Sequence, residues 1–580
     1  MGIPGFFSFL KKYNNIYNDD IDDNFIRPHI VKSDQSIDDL YFHLFLDFNG
    51  AIYTAYYSKT IKTEKALIAN VLGYLDLLVS IYDKCKLKTL FIALDGVPPR
   101  AKIEQQRMRR FHSVKEKRLI KEMEERWGER KESNLKEADN IDTTMITPGT
   151  QFMYNLRLAI EKHIQKYKQI NTVIFSSADV PGEGEHKIMK YIKTIDYKDY
   201  DNIVIYGLDG DLIMLSLASH INNIYLLREK TFFGSYTFEV EGYEFMYLDI
   251  DALKICLIDE FTNYISNVNY DNMMRLIDDY VFLTFIIGND FIPKIPHLSV
   301  YNNGLDTLMK SYCRLYNHHR EFLIDCNVMK INYKLVFCLF EDLADSEEKM
   351  MQTYHYRRKK KRINMREIDT EIDRRKQLLK YLPLQYLNVE EVINPNENGW
   401  QDRYYDICFH TNCCKSDIVK QYLQSLVWTF HYYFKDVISW DWFYSYQYGP
   451  LVEDIKEYLI VNKEVKKRIK LSYDINKLKN EFKLSKPIKQ QELLLMVLPI
   501  ESKKYMVNHF DSIYKKNDII RSYFPDKYRV AIPYHSMFWE CHPILPIIDI
   551  NVIKKELKTI YLTKDEQQRN QIACNLVISN

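Results

Sequence analysis

Glycine and proline are scarce in this chain, 17 of each among 580 residues. That excludes collagen-like and low-complexity architectures, and 46% apolar with 27% charged residues describes a globular protein. Long apolar runs are missing as well. None approaches the ~20 residues that a membrane helix needs, so no membrane association is expected. The N-terminus, Met1-Gly2-Ile3-Pro4-Gly5-Phe6, lacks the basic-then-apolar pattern of a secretory signal. Phe6 also stands where a myristoylation motif wants Ser or Thr.

The 10 cysteines show no paired spacing of a disulfide framework, as in a reducing compartment. Cys408, His410, Cys413 and Cys414 carry metal-capable side chains, but their spacing fits no zinc module, and an ordinary loop before a helix is expected there. An excess charge of one sign is absent too: 80 basic and 79 acidic residues leave +1. Any contact with nucleic acid must therefore be a local patch, not a global field.

What is present is a set of apolar runs that end in carboxylates. They are Leu44-Phe45-Leu46-Asp47, Phe91 to Asp95, Ile203 to Asp209 with Asp211 just beyond, and Phe285 to Asp290. Between the second and third lies Pro181-Gly182-Glu183-Gly184-Glu185-His186. Short apolar runs separated by helical stretches read as buried parallel strands. Ligand sites of such sheets lie at the carboxyl ends of the strands, so these acids should meet in one crevice. Seven carboxylates (Asp47, Asp95, Glu183, Glu185, Asp209, Asp211 and Asp290) cannot share a small space without counter-charge. Two hard divalent cations, Mg²⁺ with Mn²⁺ as a substitute, are the simplest remedy and the basis of two-metal phosphodiester cleavage. One of the acids beside Gly184 could instead be a helix cap, and His186 is expected to support rather than ligate.

The second dense signal is Asp95-Gly96-Val97-Pro98-Pro99-Arg100-Ala101-Lys102, continuing through Gln106, Arg109 and Arg110. Pro98-Pro99 predicts a turn after the strand, with a helix from Lys102 onward. Lys102, Gln106, Arg109 and Arg110 then share one helix face, either a pocket for a terminal phosphate or a solvated basic face.

Residues 1–345 alternate strand-like and helix-like segments. Strands are predicted at 43–48, 89–95, 172–177, 202–209 and 224–229, and helices near 63–83, 103–137, 151–168, 185–195, 251–265 and 272–287. This predicts an α/β domain with a twisted, mainly parallel sheet and helices on both faces. The charged stretch Lys115 to Lys136 predicts a solvated, projecting helix. Residues 346–390 read as a charged linker. Its run Arg357-Arg358-Lys359-Lys360-Lys361-Arg362 reads as a solvated helix, an RNA contact or a nuclear address. Residues 391–580 read as a mostly helical, aromatic-rich second region packed on the first.

In this order, MGIPGFFSFL, LDFNG, LDGVPPRAKIEQQRMRRF, MITPGTQF, VPGEGEHKIMKYI, YGLDGDLIML, LLREK and GNDFIPKIPHL resemble the Xrn-type 5′→3′ exoribonucleases. The resemblance continues in NGWQDRYY, YLQSLVWTFHYYF, SWDWFYSYQYGP, LLLMVLPIESK and ILPIIDI. It implies a flap-nuclease or PIN-like core. It also implies processive 5′→3′ degradation of single-stranded RNA bearing a 5′-monophosphate, with release of nucleoside 5′-monophosphates. The family's metal-binding acids match the seven above, and its 5′-phosphate pocket matches Lys102, Gln106, Arg109 and Arg110. A family histidine that stacks on bases corresponds here to Tyr53, and the opposing tryptophan to Trp440 or Trp442. The stretch between Lys230 and Phe245 is too short for the zinc knuckle of the nuclear branch, and the chain reads as a short form nearer the cytoplasmic branch. A cytoplasmic monomer is expected, with the nucleus as the other compartment and decapping or mRNA-decay factors as partners. A flap-type structure-specific DNA 5′ nuclease and a catalytically inactive RNA-binding relative are the rival readings.

Overall fold

The computed structural model describes residues 6–580 except 11, 14–20, 23–24, 27–40, 59–62, 84–85, 128–141, 199–200, 208, 231–237, 267, 364, 366–367, 369, 410–413 and 461–472. Three of the acid-ended apolar runs lie in strands β1 (Tyr41–Asp47), β2 (Lys86–Ala93) and β4 (Asp201–Tyr206), joined by β3 (Thr172–Ser176) and β5 (Ile224–Glu229), whereas the run Phe285 to Asp290 is not a strand but the end of the helix Tyr270–Ile287 and the loop after it. With β6 (Phe238–Val240), β7 (Tyr243–Asp249) and β8 (Leu576–Ser579) these strands form an 8-stranded sheet, order β8-β3-β2-β1-β4-β5-β7-β6. The central pairs β3–β2, β2–β1, β1–β4 and β4–β5 are parallel, while β8, β7 and β6 add on antiparallel.

The expected α/β class and mainly parallel sheet are therefore present. Strands β6, β7 and β8 were not predicted: β6 and β7 form a local hairpin whose run from Phe238 mixes Glu239, Glu241 and Glu244 among its apolar residues, and β8 pairs with β3 from a segment distant in sequence.

The strands read as continuous apolar runs because both faces are covered. Phe45, Phe91, Ile174 and Ile205 pack into a core on one side, with helices α3 (Gly184–Ile192), α4 (Asp211–Ala218) and α5 (Tyr270–Ile287). Leu44, Leu46, Ile92, Phe175 and Tyr206 pack on the other, beneath Phe48–Ser58 and Glu64–Ser80. Strand order reverses at β1–β4, since β2 and β3 extend to one side of β1 and β4 and β5 to the other. That switch point opens a crevice at the carboxyl ends of both strands.

Residues 346–390 are not a loose linker. Helix α6 (Tyr333–Lys360) runs through the first part, and Glu371–Lys380 and Leu382–Gln385 are helical. Of the basic run, Arg358 is buried and makes a bidentate pair with Glu390, both contacts 2.7 Å, and donates to the His535 carbonyl at 2.7 Å. Lys359 pairs with Glu391 at 2.6 Å. Arg358 is thus committed to packing and not to RNA or an import receptor, while Lys359 stays at the surface in an exposed ion pair.

The two regions share hydrophobic cores instead of touching at a surface. Helix α7 (Lys415–Phe434) contributes Tyr422, Trp428 and Tyr433 to the same core as α5. Helix α2 (Arg100–Trp127) presents Ile103 and Phe111 to Leu493, Leu494 and Phe510. On this face Arg107, 1% exposed, donates to the carbonyls of Pro546 at 2.7 Å and Tyr523 at 2.8 Å. The end of α2 does not project free: it packs against the helix Glu371–Lys380, with Arg375 over the Trp127 ring at 3.6 Å and Lys376 paired with Glu124 at 2.8 Å, and the rest of the predicted 103–137 helix lies outside the described residues. No helix among the described residues is long and apolar enough to cross a membrane.

Of the metal-capable cluster, Cys408 is buried beside Trp400 and Tyr404, and burial pushes its thiol well up, against a thiolate ligand. Cys414 is exposed, and His410 and Cys413 lie outside the described residues, as does Gly2.

Candidate active site

Each expected acid sits at the carboxyl end of the sheet, placed there by a strand end, a helix start or a turn. Asp47 closes β1 at the switch point. Asp95 follows β2, where Asn49 donates to its Oδ2 at 2.7 Å and the Gly184 amide donates to its Oδ1 at 2.8 Å. Glu183 is the N-cap residue of α3 and Glu185 lies in its first turn. Asp209 and Asp211 follow β4, the second opening α4. The chain leaves α5 through Gly288, whose φ of 94° lies in the left-handed region that glycine tolerates. Asn289 then accepts from the amides of Phe291 and Ile292 at 2.9 and 3.0 Å, fixing the turn that carries Asp290.

The approach is close. A Cβ on Gly184 would fall 2.5 Å from Oδ1 of Asp47, so only glycine lets α3 start against β1. Burial and the neighbouring Asp95 and Asp209 push the Asp47 carboxyl well above the usual carboxylate range. Burial, Asp211 and Glu183 do the same to Glu185. Burial and Asp290 raise Asp211 to about 7. Two oxygens, Oε2 of Glu185 and Oδ1 of Asp211, are buried without a hydrogen-bond partner.

Lys102 is the internal counter-charge. Its Nζ lies 2.7 Å from both Glu183 Oε2 and Asp290 Oδ2. Burial works against the charged forms, but this pairing holds Asp290 below its ordinary value and Lys102 well above its own. Of the four residues on the predicted phosphate face, Lys102 thus turns inward to the acids.

Among the described residues no three acids are drawn into a ligand shell around a single point, because an ammonium stands between two of them. The chemistry still fits hard cations. Buried carboxylates lacking partners and pushed toward protonation are what added divalent charge would relieve.

Asp47, Asp95, Glu183, Glu185 and Asp209 line a cavity of about 810 Å³ together with Lys102, Gln106, Arg109, Arg110 and Tyr53. Nη1 of Arg110 is buried and unpartnered, a donor that an incoming phosphate could satisfy. Tyr53 is 37% exposed where it lines the cavity, and burial of its hydroxyl raises the pKa.

Neither Trp440 nor Trp442 reaches this cavity. Trp442 stacks on Trp428 with ring centres 5.6 Å apart and meets Phe482 edge-on. Trp440 is half-buried, held through its backbone by Arg100 and Ser485. The tryptophan that does line it is Trp539, 52% exposed, from the short 3-10 helix Phe538–Glu540 that the motifs did not single out. The family resemblance pointed to the Trp-Asp-Trp motif, whereas only the folded chain brings Trp539 to the cavity that Asp47 lines.

Three supporting residues also went unpredicted. Asn49 orients Asp95, as described. The Tyr432 hydroxyl donates to Glu183, and its ring packs on His186 at 3.7 Å. His186 is buried and pushed down to about 3, so it is neutral. Lys187 is buried and donates to the carbonyls of Leu94 and Ser177 at 2.6 and 2.9 Å, tying α3 to the ends of β2 and β3.

Residues 1–230 match the family model described as XRN 5′-3′ exonuclease N-terminus, and residues 270–384 and 385–579 match the Xrn1 helical domain. The chain is 28% identical to human 5′-3′ exoribonuclease 1, over 98% of this chain and 35% of the relative. It is 27% identical to 5′-3′ exoribonuclease 2 of Arabidopsis thaliana, over 91% of this chain and 64% of the relative. For 5′-3′ exoribonuclease 2 of Debaryomyces hansenii the values are 26%, 100% and 72%. The chain therefore spans about a third of the human relative and under two thirds of the Arabidopsis one.

Proposed function

The chain belongs to the Xrn 5′→3′ exonuclease family, and on that premise we propose that it is a processive 5′→3′ exoribonuclease. Its substrate is single-stranded RNA with a 5′-monophosphate, and its products are nucleoside 5′-monophosphates. The observation that carries this reading is one cavity in which five of the acids face Gln106, Arg109 and Arg110. Phosphate-binding and hydrolytic groups on opposite walls of one space can act on the same strand end.

In this reading Gln106, Arg109 and Arg110 bind the terminal phosphate and fix the first linkage over the carboxylates, converting affinity for the end into orientation. A triphosphate or cap fails on size and unmatched charge. Tyr53 and Trp539 hold the leading bases by stacking, which is tolerant of sequence. Asn49 and Tyr432 keep Asp95 and Glu183 aimed into the cavity. Asp47, Asp95, Glu183, Glu185, Asp209, Asp211 and Asp290 are the candidate ligands for two Mg²⁺, with Mn²⁺ able to substitute. Those ions, when bound, would acidify an attacking water and stabilise the leaving 3′-oxygen. A cytoplasmic monomer, with the nucleus as the other compartment, acting beside decapping or mRNA-decay factors, completes the proposal on the family resemblance alone.

The test is digestion of matched RNAs differing only at the 5′ group, in Mg²⁺ and in EDTA. Mononucleotides from the monophosphate RNA alone, and only with Mg²⁺, are expected. Equal loss of triphosphate RNA would overturn the end-recognition reading, and internal cutting of branched DNA would replace it with a flap nuclease.

A further inference from the structure

A second cavity, of about 440 Å³, opens beside the first and shares Arg109, Trp539 and His542 with it as walls. Asp290, whose other side is held by Lys102, also lines it. Its remaining lining is strongly aromatic and includes Phe443 and Tyr301, with Lys294 as a further cation. Tyr301 is 61% exposed and Trp539 52%, so both stand at a mouth and not in a sealed core. The size falls within the roughly 300–1,000 Å³ of small-ligand pockets.

Two constraints bear on what such a space is for. Cleavage at the acids creates a mononucleotide at the inner end of the first cavity. The way back is blocked by the strand itself, whose leading bases lie on Tyr53 and Trp539. A processive enzyme must discharge each product without releasing the polymer, so product and substrate need different doors.

We propose that the second cavity receives the released nucleoside 5′-monophosphate and conducts it to solvent while RNA remains in the first. The proposal rests on the exonuclease reading above. Its ligand class follows from the walls: aromatic faces for a base of any identity and the Arg109 and Lys294 cations for the phosphate, while the lining carboxylates Glu104 and Glu540 are held by Arg100 and by the Ser536 amide. Arg109 faces both spaces, so a phosphate can pass from one to the other without leaving a guanidinium.

The experiment uses the full chain and AMP. In EDTA, AMP is titrated by saturation-transfer NMR with and without a saturating 5′-monophosphate oligoribonucleotide. AMP should bind with RNA already in place, and in Mg²⁺ it should inhibit degradation without competing with RNA. Gln447→Trp, which narrows the cavity at a half-buried position, should slow steady-state turnover severalfold and leave the first cleavage of a single-turnover experiment unchanged. Tyr301→Ala, at an exposed side chain whose loss will not unfold the protein, should weaken AMP binding about tenfold, the scale of one lost stacking contact. Displacement of AMP by RNA, with purely competitive inhibition, or unaltered AMP binding in Tyr301→Ala, would overturn this proposal alone. A wild-type protein that releases no mononucleotide would overturn the exonuclease reading and this proposal together.

Discussion

The ammonium of Lys102 lies 2.7 Å from Oδ2 of Asp290, joining the first turn of α2 to the loop after α5 across the carboxyl end of the sheet. The same nitrogen meets Glu183, and both contacts are almost wholly shielded from water. A buried cation paired with two buried anions is costly to break from either side, because whichever charge remains has lost both water and partner.

Lys102→Met should therefore destabilise the metal-free protein by about 3–5 kcal/mol, the range for leaving a buried charge uncompensated. Mg²⁺ should restore much of that loss, because a ligand that binds only the folded state stabilises it. Thermal unfolding in EDTA and in Mg²⁺ measures both. A loss of equal size in the two conditions would show that Lys102 is not the counter-ion of a cation site.

Tyr432 contributes one hydroxyl to Glu183 and one ring to a stack with Trp428, 4.8 Å between centres. Tyr432→Phe keeps the stack and deletes the donor. The Mg²⁺ concentration for half-maximal RNA degradation should rise about 10- to 100-fold, as for partners that orient metal ligands. The melting temperature should change little. An unchanged Mg²⁺ requirement would reduce Tyr432 to a packing residue.

Trp539 and Trp442 should separate by phenotype. Trp539→Ala removes an exposed ring from the cavity wall, and should weaken single-stranded RNA by about 1–3 kcal/mol with stability nearly intact. Trp442→Ala removes a ring packed on Trp428 and Phe482 and should lower the melting temperature instead. Fluorescence anisotropy with labelled RNA, beside calorimetry, distinguishes them. The opposite pattern would return the stacking role to the Trp-Asp-Trp motif.

Asp76 ties the helix Glu64–Ser80 to the helix Gln151–His163. It accepts from His163 at 2.9 Å, from Lys166 at 2.6 Å and from Tyr167 at 2.5 Å. Partial burial works against the anion, but these donors prevail and hold its pKa below the ordinary carboxylate value. A depressed carboxylate adds stability above its unfolded pKa, and that stability disappears as pH falls through the folded one. Asp76→Asn should thus cost about 0.5–1 kcal/mol near neutrality, given its partial exposure, and nothing in strong acid. Urea unfolding of both proteins at pH 7 and below pH 3 gives the difference. A cost that persists unchanged in acid would mean that shape, not charge, explains it.

The sequence announced the central sheet because buried parallel strands have a signature that needs no partner to be read. Every residue of Ile203-Val204-Ile205-Tyr206 is buried, and no polar residue interrupts the run. The edge strands carry no such mark. Leu576–Ser579 pairs antiparallel with Thr172–Ser176 across about two thirds of the chain, and only half of it faces the protein. The residues 346–390 show the converse failure. Their charge reads as linker, yet Glu390 lies buried and fully paired with Arg358, and composition cannot distinguish a charge facing water from one facing its opposite.

Sequence by itself determined which residues end the strands in carboxylates and which cations share a face of α2, since both follow from the 2.0 and 3.6 periodicities of a local backbone. Tertiary structure alone decided that Lys102 turns toward Asp290 and that Trp539 reaches the cavity wall. It also decided that Arg107 fastens α2 to the carbonyls of Tyr523 and Pro546. Those outcomes depend on which distant segments are brought within a few ångströms, and pairing across hundreds of residues leaves no periodic trace in the chain.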